Sequence, residues 1–264
     1  MLVGKTQVVL RFLFFVLCIF GTQNSLAMPH DTLFTATFKG RHTGIGITMT
    51  KTLVQVDENR FVLRSKAKSL VGSITEESHF LIFESKLVPL SYQYYRKIFG
   101  KKSDQRLRFD WVEHTASFTR SDKPHRNKTF TIDKGTLDPS LYHIKLQQQL
   151  FHDEKPLSFV YAKDSGLRTM DFDFVEGTTY TLNDSDLAAV KIERINQTKD
   201  KATTITLVPE LNYQIAQITH TDEDGSTYTI RLEDYEAQNE KLHAFYKRIA
   251  TGATDIETKG TQVK

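Results

Sequence analysis

This chain is built mostly from stretches that read as strand, and Leu137–Phe151 is its one clear long helix. Leu137-Asp138-Pro139-Ser140 is a start signal. Asp138 is placed to cap free N–H groups, Pro139 suits the first helical position, and the Ser140 hydroxyl can satisfy a backbone N–H there. At about 100° per residue, Leu141, Ile144 and Phe151 share one stripe, which Leu137 extends. Tyr142, Leu146 and Leu150 form a second stripe on nearly the opposite side, with His143/Gln147 and Lys145/Gln149 between the two. A surface helix needs only one apolar stripe. Two require apolar surroundings on both sides, as for a helix lying within a curved sheet.

The strands around it are read from period-two alternation. Leu33–Phe38 and His42–Val56 come first, with Gly44 and Gly46 expected as bulges or points of close approach. Arg60–Leu70 puts Phe61, Leu63, Ser65 and Ala67 on one face and Arg64, Lys66 and Lys68 on the other, an antiparallel strand with one wet face. Ser73–Phe83 ends in Phe80-Leu81-Ile82-Phe83, apolar on both faces, which predicts cover on both sides there. Leu87–Phe99 follows, then Gly100–Asp104 as a polar loop, Arg106–Trp111, His114–Arg120 and Thr129–Asp133. Beyond the helix, Leu157–Ala162 and Leu167–Val175 are strands, the second with Met170, Phe172 and Phe174 on one face. Later strands repeat at the spacing of a meander, Asp224-Gly225 is a hairpin signal, and Asn239–Ile249 reads as a short closing helix. The expected class is mainly β: a large antiparallel sheet curled into an open barrel or roll, with the helix at about 138–151 on its concave side.

Residues 1–27 have the form of a signal peptide that is cleaved on export. Lys5 and Arg11 form the positive region, Phe12–Phe20 is unbroken apolar sequence, and Ser25-Leu26-Ala27 suits the peptidase. The apolar run is about half of the ~20 residues that span a bilayer, so no transmembrane segment is expected after cleavage. A single β-rich domain over 28–250 and a disordered polar tail over 251–264 complete the layout. Cys18 is the only cysteine and lies in the signal, so the exported chain relies on its core rather than on disulfides. That points to the periplasm of a Gram-negative bacterium. Signal removal takes Lys5 and Arg11 from 35 basic residues that face 32 acidic ones, leaving a chain close to neutral and without the bulk charge of a nucleic-acid binder.

No chemistry-bearing motif stands out. The nine histidines are scattered and no pair has zinc-ligand spacing, so neither a metal nor a cofactor is expected. There is no G-x-S-x-G, and Glu76-Glu77 are strand neighbours that point to opposite faces. Asp222–Gly225 lacks the later glutamate of a calcium loop. The chain is therefore read as a non-enzyme. The densest cluster, Tyr92–Arg108, interleaves Tyr92, Tyr94, Tyr95 and Phe99 with Arg96, Lys97, Lys101, Lys102, Arg106 and Arg108. It reads first as a strand pair with aromatic and cationic faces, and second as a grip on an anionic envelope component such as phospholipid or lipopolysaccharide.

A series of short landmarks resembles the bacterial exported family known as domain of unknown function 3108. They are Glu77-Ser78 with Phe80, Leu87-x-Pro89 with Tyr92 and Tyr94, Phe109-Asp110-Trp111, Asp138 and Ser140, Leu207-x-Pro209 with Leu211 and Tyr213, and Asp224-Gly225. They span about Phe34 to Leu232; Leu207 stands where the family commonly has tryptophan. The resemblance implies a mostly β envelope protein and brings no catalytic residues. A looser likeness, of architecture only, is to lipoprotein-carrier folds, in which an incomplete barrel holds helices over an apolar cavity. The functional expectation is a periplasmic binding protein that shelters an apolar or lipidic ligand, with Phe80, Ile82, Tyr92, Tyr94, Trp111, Leu141 and Ile144 as candidate lining. The alternative is an envelope scaffold or protein-interaction module with a filled core and an envelope protein as partner.

Overall fold

Short turns between consecutive strands force antiparallel neighbours, and this chain obeys that rule twice. The computed structural model describes residues 31–42, 44–164, 166–195 and 201–250; the signal segment and the 251–264 tail lie outside them. The first meander comprises β1 (Asp31–His42), β2 (Ile45–Gln55), β3 (Arg60–Ser69), β4 (Gly72–Phe83), β5 (Lys86–Ile98), β6 (Lys101–Asp110), β7 (Thr115–Arg120) and β8 (Lys128–Thr131). The second comprises β9 (Leu157–Lys163), β10 (Gly166–Leu182), β11 (Ser185–Ile195), β12 (Ala202–Val208), β13 (Gln214–Thr221) and β14 (Thr227–Ala237). Between them lies α1 (Leu141–Phe151), and α2 (Asn239–Ala250) follows β14.

The two meanders join where β1 pairs with β14, giving one antiparallel sheet with β8 and β9 as its edges. The seam is tight at Gly40, where an added Cβ would lie 2.3 Å from the Thr229 carbonyl oxygen. The sheet does not close by strand pairing. Instead, the chain leaving β8 lays Leu137 along β9: its N–H donates to Val160 O at 2.9 Å, and Ala162 N–H donates to its carbonyl at 2.8 Å.

That bridge corrects the start of the helix. Residues 137–140 are not helical, and α1 begins at Leu141. Asp138 still caps it, its Oδ1 accepting from the N–H of Ser140 at 2.8 Å and of Leu141 at 3.0 Å. Ser140, expected to cap through its hydroxyl, makes no such bond. The two-sided helix has neighbours to match: Leu141, Ile144, Leu146 and Leu150 are all buried, and α1 contacts α2, β9 and β5. On α2, Leu242, Phe245, Tyr246 and Ile249 are buried at helical spacing. Phe245 packs edge-on against Phe61 at 4.9 Å and against Phe80 at 6.4 Å, and Phe151 stacks on Tyr246 at 5.8 Å. Each such ring contributes about 1.5–3 kcal/mol on burial.

Four local expectations fail, each for a physical reason. Gly100–Asp104 is not a loop: the chain reverses at Phe99-Gly100, both at positive φ, and β6 begins at Lys101. The Phe80–Phe83 run is covered on one side only, since Phe83 sits beside the β4–β5 turn with 61% of its surface exposed. Phe174 does not share the buried face of Met170 and Phe172; it lies past the last residue of β10 that β9 covers, at a register shift, with Lys155 over its exposed ring. Gly44 and Gly46 approach nothing closely; the close approaches are at Gly40 and at Gly72, where a Cβ would lie 2.0 Å from Lys97 O.

Candidate functional site

Strand register sorts the inward side chains of β2–β7 into rows, because residues directly opposite one another point to the same face. Phe61 and Phe80 are paired in one row, with Pro89 next to Phe80. The next row runs Leu53, Leu63, Ser78, Tyr92, Leu107 and Phe118. The one after that runs Lys51, Ser65, Glu76, Tyr94, Gln105 and Arg120, and holds no apolar aliphatic residue. The interior therefore turns from apolar to polar along the strands. The helices pack with Leu53, Phe61, Leu63 and Phe80, while Tyr92, Leu107 and Phe118 form a separate cluster with Ala162.

Against the polar row lies a cavity of about 620 Å³, within the usual range for ligand pockets of roughly 300–1,000 Å³. Tyr92, Tyr94, Arg96 and Glu76 line it from β4 and β5, and Gln105, Leu107, Phe118 and Arg120 from β6 and β7. Pro139 and Tyr142 contribute from the start of α1, Tyr161, Lys163, Asp164 and Met170 from the β9–β10 hairpin, and Arg194 and Tyr228 from β11 and β14. Two of the cations near it are balanced locally. Arg120 grips Asp122 through Nε at 2.7 Å and Nη2 at 2.9 Å, and Arg106 holds Asp104 at 2.8 Å. Asp122 is held below the usual carboxylate range by Arg120 and then by the Ser103 hydroxyl. Arg96 and Lys163 have no carboxylate partner within salt-bridge distance among the described residues.

Behind the cavity wall the polar groups are buried deeply enough to titrate abnormally. Asp138 accepts a hydrogen bond from the Ser78 hydroxyl, tying the start of α1 to β4. Burial pushes its carboxyl up to about 7, against the opposing hydrogen bonds from Ser78, Ser140 and Leu141 and with reinforcement from the charge of Glu76. Tyr92 donates to Glu76 Oε1 at 2.6 Å; burial first, and then Glu76, push the phenol up. Burial draws the Lys51 ammonium down to about 8, although Glu76 favours its charged form. Its partner is His143 Nδ1; burial and then Lys51 hold that imidazole well below its ordinary value, hence neutral. Since Nδ1 accepts from Lys51, the proton sits on Nε2, which is buried with no hydrogen-bond partner among the described residues.

A family model described as a protein of unknown function, DUF3108, matches residues 33–233. The chain belongs to that family. Comparison with curated proteins gives no match. Among solved structures, the crystal structure of a β-barrel-like protein of domain of unknown function DUF1849 from Brucella abortus is similar, with a TM-score of 0.51 at 10% identity. The match covers 78% of this chain and 98% of the other, and it shows a shared fold.

Several DUF3108 landmarks meet in space. Ser78 and Asp138 share the hydrogen bond above, and Trp111 Nε1 donates to Pro89 O at 2.7 Å while its ring stacks on Phe109. Of the residues singled out from sequence, Tyr92 and Tyr94 line the cavity. Phe80, Ile82, Leu141 and Ile144 lie in the packed core, and Trp111 lies at the β6–β7 turn. The cationic and carboxylate lining (Arg96, Arg120, Lys163, Arg194 and Glu76) comes from strands far apart in sequence, and only register brings it together. Among the described residues no group of three His, Cys, Asp or Glu side chains is arranged to hold a metal ion.

Proposed function

We propose that this DUF3108 protein is an exported, non-enzymatic binding protein of the bacterial periplasm, and that its ligand is an amphipathic anion held in the 620 Å³ cavity. The carrying observation is the inward polar row beside a cavity that protein side chains leave open, while Leu53, Phe61, Leu63 and Phe80 are packed in one core with α1 and α2. Arg96, Lys163 and Arg194 supply positive charge for an anionic group. The rings of Tyr94, Tyr142, Tyr161 and Tyr228, with Met170 and Phe118, supply surfaces for its ring or chain portion. The sheet curves around the helices in this reading, leaving the cavity at the N-terminal end of α1. A lipidic ligand accordingly places its headgroup, rather than its acyl chains, at the polar row.

The test is organic and acid extraction of protein purified from the envelope, with mass spectrometry of the extract, alongside titration with a fluorescent anionic amphiphile. The expected result is a released or bound anion whose affinity falls at least tenfold in Arg96→Gln/Lys163→Gln at an unchanged melting temperature. A clean extract together with no probe binding refutes ligand binding, and recovery of a neutral lipid refutes the anionic assignment.

A further inference from the structure

In an antiparallel meander, alternate turns fall at the same end of the sheet. The β3–β4 turn at Leu70-Val71 and the β5–β6 turn at Phe99-Gly100 are therefore neighbours, and Phe99 N–H donates to Val71 O at 2.9 Å. Each presents a large apolar side chain to solvent: Leu70 is 97% exposed and Phe99 76%. Phe99 holds φ at +47°, a conformation that such turns ordinarily assign to Asn or Gly, so turn geometry alone does not account for an aromatic there. The sequences around the two tips, Lys66–Ser73 and Arg96–Ser103, contain Lys66, Lys68, Arg96, Lys97, Lys101 and Lys102 and no acidic residue. The five lysines are exposed, and among the described residues none is ion-paired.

The opposite end of the sheet offers an internal contrast. Val112 in the β6–β7 turn is 86% exposed, but Asp110 and Glu113 flank it. Exposed apolar residues thus occur at both ends, and the cationic surround occurs at one. Apolar side chains projecting from a collar of lysines match a bilayer bearing anionic headgroups. The side chains enter the interfacial layer, and each lysine near the surface is attracted to the headgroups.

We propose that the paired Leu70 and Phe99 turns dock this protein on an anionic phospholipid bilayer. This goes beyond the ligand reading above and does not depend on it. Arg96, three residues before Phe99, belongs to both features, so docking turns the cavity toward the membrane.

Co-flotation of the mature chain with vesicles of phosphatidylcholine alone, or with about one-third phosphatidylglycerol, tests the proposal. The proteins to compare are the wild type, Leu70→Ser/Phe99→Ser, Lys97→Gln/Lys101→Gln/Lys102→Gln and Val112→Ser, all checked by circular dichroism and thermal melting. Expected are binding that requires phosphatidylglycerol, a loss of at least tenfold in each of the two multiple variants, and no change in Val112→Ser. Phe99→Trp should shift its emission to the blue on the anionic vesicles only. No flotation with either vesicle, equal binding to both, or undiminished binding by Leu70→Ser/Phe99→Ser would overturn it. So would a photo-crosslinker at position 99 that captures an acidic protein in cells and no lipid.

Discussion

Asp138 is fully buried at the point where α1 is tied to the sheet, and its titration gives a signed, measurable prediction. Three hydrogen bonds favour its carboxylate and burial disfavours it; burial wins, lifting the pKa from 3.8 to about 7. That shift corresponds to about 4 kcal/mol between the two protonation states. The folded protein binds this proton more tightly than the unfolded chain does. The stability contributed by protonation is therefore complete below about pH 4 and is lost as pH rises through about 7. Asp138→Asn stays neutral throughout. Its Oδ1 still accepts from the N–H groups of Ser140 and Leu141, and its amide donates to the Ser78 hydroxyl. Urea unfolding of both proteins at pH 5, 6, 7 and 8, followed by circular dichroism, isolates the group because the remaining titrations are common to the pair. The variant's advantage should grow by about 1.4 kcal/mol per pH unit between pH 5 and 7, reach roughly 3 kcal/mol across that window, and level off above it. Asp138→Ala, which loses the cap as well, should follow the same pH trend against wild type from a lower start, costing at least about 1 kcal/mol at pH 5. A difference between wild type and Asp138→Asn that is flat with pH, or that falls as pH rises, would refute the claim that burial outweighs the hydrogen bonds.

Three further substitutions probe the frame. Tyr246 has a buried hydroxyl with no partner among the described residues, so Tyr246→Phe should leave thermal stability unchanged or raise it by about 1 kcal/mol, read by differential scanning calorimetry. Phe245→Ala removes the ring that packs on Phe61 and Phe80 and should cost about 3–5 kcal/mol in chemical unfolding. Gly40→Ala places a Cβ 2.3 Å from a backbone oxygen at the seam of the two meanders; a loss of about 1–3 kcal/mol is expected, with faster amide exchange in β1 and β14 as its signature.

Much of the frame was legible because alternation is a local property. The one-wet-face pattern Phe61, Leu63, Ser65 and Ala67 against Arg64, Lys66 and Lys68 is β3 as found, and the helical spacing of Leu242, Phe245, Tyr246 and Ile249 is the buried face of α2. The start of β6 escaped because Lys101 and Lys102 are polar on a strand whose reversal takes only Phe99 and Gly100. The cap at Asp138 was legible in its own residues. The bridge at Leu137 was not, because its backbone partners are on β9, more than twenty residues away. The cavity was the least legible feature. Ser65 and Glu76 look unremarkable singly, and they become one polar row only when Lys51, Ser65, Glu76, Tyr94, Gln105 and Arg120 are aligned across five strand pairings. Of the landmark tyrosines, Tyr92 and Tyr94 line the cavity, while the apolar candidates Phe80, Leu141 and Ile144 lie in the packed part of the interior.

The same topology makes the two proposed interactions separable. The β1–β14 seam aligns the meanders so that the polar row, the β9–β10 hairpin and the cationic turns lie toward one end, and the helices with the aromatic cluster toward the other. The charges involved differ in exposure. Lys97, Lys101 and Lys102 stand in solvent, whereas Arg96 and Arg194 are partly buried. Mobile ions screen exposed charges over about 10 Å at 0.1 M and about 3 Å at 1 M, and screen buried ones far less. Raising salt should therefore release the protein from anionic vesicles well before it strips an anion from the cavity. Parallel loss of both on a salt titration would mean that one surface, not two, does the binding.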